Sequence, residues 1–435
     1  MNNVYRSKHG PLRLLVLCTL VLALGLGNAQ AEDLQEGFII TKVNYAEIKD
    51  KTFEGKTIAS MVPERMEQMI MDFGLTITLG HSEKIELDPK YVAYSKKNVK
   101  EVKYDPATRT MSGWQAGQPF PPEVISLDDP NAGDKVIWNL RGVTYGAIMG
   151  FNDFNFTFIK GDKGVERNQE WVSSRYFMEG RLDGGPLIVG DGTIQQKTYI
   201  VAIAPRDIRG LGTFSIRYND VHSKKPDDTW AYLKSVRRTR RLSGGAWMDP
   251  IGGTDQLYDD WDIFDAFPTK YKSIKLLEKR WILAVAHSPK DSVDPTKTDM
   301  VEKLPSINLK EAPYYWPAKR VKWEPREVYV VEAIPPKEHP YGKKVVYIEI
   351  DHPRPYLGEF YDKKGEFWKY YIDQSRPDVG KTDGYKGVVP VVGHVVDLKR
   401  NHATIWSINM EVNPGGVTSD DVTLSKLEEL ATGAR

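Results

Sequence analysis

The chain of 435 residues carries 60 Lys and Arg against 59 Asp and Glu, a formal charge of +1, and a single cysteine. Near-neutrality argues against a nucleic-acid partner, which recognises a strongly basic face. One cysteine excludes an internal disulfide and a thiolate metal cluster, so the fold has to be held by its core, which a chain of this length can bury. Abundant Tyr (22), Phe (14) and Trp (11), with Gly and Pro at short intervals, are the composition of a β-rich domain.

In chain order, Arg6, Lys8 and Arg13 precede an apolar run over 14–26 and then Ala29-Gln30-Ala31. This is the pattern of a secretory signal peptide over 1–31, cleaved near Ala31. The run is shorter than the roughly 20 apolar residues of a spanning helix, so residues 32–435 are expected as one soluble periplasmic domain. Cys18 lies inside the run and lacks the small neighbours of a lipid-modified cysteine.

Pro63-Glu64-Arg65, then Met66, Met69, Ile70 and Phe73 at helical spacing, then Gly74, predict an amphipathic helix. Its methionine stripe suits either core packing or a lid over an apolar ligand, which makes Met66 and Met69 candidate ligand contacts. From 75 to 102 the chain reads as short strands, with Leu75, Ile77 and Leu79 alternating and residues 91–94 forming another run. The polar stretch 126–134 reads as a turn; its aspartates lack EF-hand spacing and a distal Glu, so no metal site is expected there. Phe154, Phe156 and Phe158 alternate and point to one side of a strand, either into the core or along a cavity wall. Further strands are predicted at 171–179, 198–204 and 213–218.

The stretch 227–262 concentrates aromatic, cationic and anionic groups. Trp230-Ala231-Tyr232-Leu233 and 236–242 are strand-like, which puts Arg237 and Arg241 on one face and Arg238 and Arg240 on the other. Pro250 and Gly252-Gly253 then turn the chain back toward Asp255, Asp259, Asp260 and Asp262. One arginine pair, Arg237 and Arg241, is therefore expected to form an ion-pair network with Asp255, Asp259 and Asp260. The other, Arg238 and Arg240, is expected with Trp230 and Tyr232 beside a ligand. Beyond it, 291–317 reads as a surface insertion. Strands follow at 327–334, 344–351, 359–361, 366–372, 388–397 and 404–411, an antiparallel meander whose clearest hairpin turns at Gly365. Ser419 with Val422, Leu424, Leu427 and Leu430 predicts a terminal docking helix.

W-x-Y-L at Trp230, R-R-x-R-R-L-S from Arg237 and G-x-D-x-x-Y-D-D from Gly253 resemble bacterial outer-membrane-lipoprotein-sorting-like proteins of the LolA/LolB superfamily. The segment Gly113-Trp114-Gln115-Ala116-Gly117-Gln118-Pro119-Phe120-Pro121 and the chain length are similar to a longer proteobacterial family within it. Where relatives carry Pro-Ala after W-x-Y-L, this chain has Lys234-Ser235. The resemblance implies an incomplete barrel closed by helices around a lipid, with an inner-membrane exporter or outer-membrane component as protein partner.

No H-E-x-x-H, paired-histidine spacing, G-x-S-x-G elbow or phosphate loop is present, so no enzyme activity, cofactor or metal is expected. The expectation is an α+β, β-rich fold, a curved antiparallel sheet in an incomplete LolA/LolB-like barrel with covering helices. The expected function is carriage of a lipid, lipoprotein acyl chain or other hydrophobic cargo, which calls for an apolar cavity of roughly 300 Å³ or more. An envelope scaffold with a filled core, or an envelope hydrolase working through the Asp259–Asp262 carboxylates, are the alternatives.

Overall fold

The computed structural model describes residues 33–142, 145–219, 227–234, 237–242 and 246–433; the predicted signal peptide and Cys18 lie outside them. The predicted meander is present: Lys343–Glu349, Pro355–Tyr361, Phe367–Val379, Lys386–Asp397 and His402–Val412 pair antiparallel in succession. His402–Val412 pairs in turn with Ile148–Lys160. There a second meander takes over, through Gly164–Phe177, Ile194–Ala204, Gly212–Tyr218, Asp228–Leu233 and Arg238–Arg241.

At the opposite end Lys322–Ile334 lies between Lys343–Glu349 and Ser273–Ala284, and its first residues run parallel to Ile77–Leu79. Fifteen strands thus form one curved sheet that does not close into a barrel. The sheet is mixed rather than wholly antiparallel, because Ile77–Leu79 arrives from the helical N-terminal region and no hairpin dictates its direction. Register shifts, such as the one between Phe151 and Phe154 where Asp153 is left-handed (φ 49°), mark where strands bend.

The helices Glu64–Phe73 and Leu424–Gly433 cover one face. Glu64–Phe73 ends on Gly74 in the left-handed region (φ 72°), the conformation that favours glycine at a helix end. Met66, Met69 and Ile70 are fully buried beneath it. Segment 291–317 adds Tyr315 and Trp316 to this layer; the Trp316 indole donates to the Phe73 carbonyl (2.7 Å) and packs edge-on against Tyr370. Further along the same face, Leu424–Gly433 seats Leu427 on Val201, Phe214 and Tyr232. Its approach is capped by Thr418 rather than Ser419, with the Asp421 carboxylate accepting from the Thr418 N–H.

Two predicted elements differ. Residues 91–94 lie inside the helix Pro89–Glu101, because Asp88 accepts from the Lys90 N–H (2.8 Å) and Pro89 occupies the first helical position. The polar stretch 126–134 runs into the helix Ala132–Asn139, where Asp134 bonds Arg109 and Tyr104.

Candidate functional site

The other face of the sheet carries a loop, residues 246–272, that joins the Arg238–Arg241 strand to Ser273–Ala284, with Trp138 of the Ala132–Asn139 helix stacked on its Phe267. Gly252 and Gly253, both left-handed, turn the loop back on itself, and Pro250 bridges Leu257. From there Asp255, Asp259, Asp260 and Asp262 enter the core, which charged groups do only when paired.

Most of their partners come from the C-terminal meander and the turn that leads into it. Lys344 Nζ lies 2.8 Å from Oδ2 of Asp259 and 2.8 Å from Oδ1 of Asp260. Tyr271 donates to Asp259 (2.5 Å), His339 contacts it at 3.2 Å, and Tyr341 donates to Asp260 (2.7 Å). Burial alone pushes the Asp259 carboxyl up, but Lys344 and His339 together hold it at about 2. Asp255 meets His402 Nδ1 (2.6 Å) and the Thr404 hydroxyl (2.8 Å), and His402 keeps it below the usual carboxylate range against its burial. Arg354, fully buried, bridges Asp262 (3.2 Å) and Asp373 (2.9 Å). Asp262 and Ile263 are both left-handed (φ 49° and 67°), costly for a β-branched residue. The Arg354–Asp262 pair and a Lys344 bond to the Ile263 carbonyl (3.3 Å) hold that turn.

This anchoring fixes Trp261 against the sheet, stacked on Trp406 (5.6 Å between centroids) and close to Phe151 and Phe154 (5.9 and 6.1 Å). On the far side of Trp261 the loop parts from the second meander, leaving a cleft. One wall is apolar, made by Phe151, Phe154, Trp247, Ile251, Tyr258 and Trp261. The other is a polar ladder: Arg175, Thr198, Ser215 and Thr229 lie side by side on four adjacent strands, with Ser173, Gln196, Thr213 and Arg217 around them. Arg217 binds both Asp227 (3.2 Å) and Asp265 at one rim. The cleft encloses about 120 Å³ and opens to solvent, below the closed cavity of roughly 300 Å³ expected from the sequence. A hollow of about 350 Å³ under Val301–Arg320 is more open and has no aromatic wall.

The residues singled out in the sequence fall in three places. Phe154 lines the cleft, while Phe156 and Phe158 continue the same face into the core, against Trp171 and His402. Trp230 and Tyr232 do not line it: strand alternation turns them to the opposite face, under the terminal helix, with Trp230 stacked on Phe214. Met66 and Met69 are on that opposite face too, in filled core rather than over a cavity.

The expected pairing of Arg237 and Arg241 with Asp255, Asp259 and Asp260 is also absent. Arg237, Arg238, Arg240 and Arg241 are exposed on the last strand of the sheet and the turn before it, and Arg241 pairs with Asp228. Asp259 and Asp260 are held by Lys344 and Asp255 by His402 and Arg400 (3.3 Å), because the loop carries them across the sheet and away from the arginine strand. Of the cleft residues missed in the sequence, Arg175, Thr198 and Ser215 had one visible signal, polar residues at alternate positions of neighbouring strands, and Trp261, on the loop, had none.

The family described as "Protein of unknown function (DUF1329)" matches residues 39–428. Among solved structures, the chain is similar to a domain described as an outer membrane lipoprotein-sorting protein from Vibrio parahaemolyticus. That likeness has 17% identity and a TM-score of 0.44, over 69% of this chain and 100% of that one. It is similar to a DUF1329 family protein from Desulfovibrio piger (17%, TM-score 0.44, 69% and 99%). It is also similar to a LolA superfamily protein from Nitrosomonas europaea (13%, TM-score 0.39, 68% and 98%). Comparison with curated proteins gives no match.

Proposed function

This chain belongs to the DUF1329 family, and we propose that it is an exported binding protein that holds an amphipathic, largely apolar molecule in the cleft between the inner loop and the second meander. The observation that carries this reading is the pairing of an aromatic wall with a hydroxyl-rich one in an open cleft. Apolar surface laid on Phe151, Phe154 and Trp261 is favourable by roughly 25 cal/mol per Å², while the opposite wall offers hydrogen bonds to a polar end. With about 120 Å³ enclosed, the cleft takes the polar end and the first part of a chain, and the remainder extends toward solvent. The basic, apolar and Ala-x-Ala start of the sequence supports export to the periplasm.

Binding without turnover is supported by the state of the carboxylates. A glycosidase pair has to reach substrate and water, whereas Asp259 and Asp260 are sealed in the core by Lys344, His339, Tyr271 and Tyr341.

The test is binding of a neutral dye that fluoresces in apolar sites. Ser215→Trp, which fills the cleft from its polar wall, is expected to abolish dye binding with little change in melting temperature. Unchanged dye affinity in folded Ser215→Trp protein would contradict the reading.

A further inference from the structure

Among the described residues four arginines are buried: Arg175, Arg181, Arg354 and Arg376. Three have carboxylate partners, Arg181 with Asp183 (2.5 Å), Arg354 with Asp262 and Asp373, and Arg376 with Asp378 (2.8 Å). Arg175, only 8% exposed, has none among the described residues. Its one side-chain hydrogen bond runs from Nε to the Thr198 hydroxyl (3.3 Å), and its guanidinium lies 5.6 Å from the Trp261 ring centroid. It lines the cleft and also a smaller hollow beside it, where the acids Asp262 and Asp265 are taken by Arg354 and Arg217.

A buried cation is unfavourable without a counter-charge, and guanidinium, unlike ammonium, does not escape by losing its proton. The acids lining the cleft do not supply that charge. Asp227 and Asp265 are both taken by Arg217, and Lys270 is a further cation on the lining, set over Trp247 at 5.4 Å. The cleft therefore has an excess of positive charge at the junction of its two walls, where Arg175 lies over the Trp261 face.

We infer that the molecule held in the cleft carries an anionic group, a carboxylate or a phosphate, which Arg175 receives while the adjoining apolar chain lies on Phe151, Phe154 and Trp261. The inference rests on the cleft being the binding site proposed above. A planar guanidinium offers two parallel N–H donors to either anion, and Thr198 and Ser215 stand beside it on the ladder to take the remaining oxygens.

The experiment compares octanoate, octyl phosphate and octanol at pH 8, each measured by displacement of the neutral dye from the full protein. At least one anion is expected to bind about tenfold more tightly than octanol, the order of one charge-assisted pair. In Arg175→Gln the ratio of anion to octanol affinity should fall to about twofold or less, and Arg175→Lys, which keeps the charge but loses the two-donor fork, should retain only part of it. The tighter anion tells whether a fatty-acid-like carboxylate or a lipid-like phosphate is received. If Arg175→Gln does not fold, the wild-type ratio alone decides. Octanol binding as tightly as both anions overturns the inference and leaves the cleft reading standing; no binding by the dye or any of the three removes both.

Discussion

His394 shows how a polar residue is made part of this core. It is fully buried, its Nδ1–H donates to the Tyr315 carbonyl (2.8 Å), and its Nε2 accepts from the Gln374 amide (2.7 Å). Burial pushes its pKa down to about 4. The unfolded chain, with His near 6.5, binds the proton more readily, so stability from neutral His394 is present above about pH 6.5 and lost as pH falls toward 4. The shift is worth about 3 kcal/mol. His394→Gln removes the titration, so its stability deficit at pH 7 should shrink by an amount of that order at pH 4, read by urea unfolding. A deficit that does not vary with pH would contradict this. At this scale the sequence was only partly legible. The aspartates after Gly253 were conspicuous, but the lysine that neutralises two of them stands 85 residues further on, and only the fold brings it there. The adjacent arginines were the natural guess and the wrong one.

Among the elements, hydrophobic period and turn residues were informative wherever a segment has one buried face. The Phe367–Val379, Lys386–Asp397 and His402–Val412 strands, the Gly365 hairpin and the Glu64–Phe73 helix follow from such patterns. Where a cap overrode an aromatic run, as Asp88 and Pro89 do ahead of Tyr91, the reading failed. Which face a stripe covers was not legible, since a core layer and a cavity wall have the same composition. For Met69 the structure decides for core. Met69→Ala should cost about 2–5 kcal/mol in chemical unfolding and leave the dye affinity of the folded fraction unchanged. Weakened affinity at wild-type stability would instead restore the helix as a lid.

Over the whole molecule, a long curved sheet is packed on both sides along much of its length, by the Glu64–Phe73 and Leu424–Gly433 helices on one face and by the inner loop with the Ala132–Asn139 helix beside it on the other. Among the described residues, the space with an aromatic wall lies where the loop stops short of the second meander. That arrangement explains why the signature from Gly253 to Asp260 and the cleft belong together: the buried Asp–Lys–His contacts hold the loop that presents Trp261. It also assigns the arginine strand a different place, at the exposed end of the sheet, where charged side chains discourage further strand pairing. The most direct test of the cleft as the binding site is photolabelling with a neutral alkyl diazirine, followed by mapping of the modified peptides. The account predicts adducts on the peptides carrying Trp247, Trp261 and Ser215. Adducts confined to the Glu64–Phe73 helix or the Arg238–Arg241 strand, with the cleft unlabelled, would contradict it.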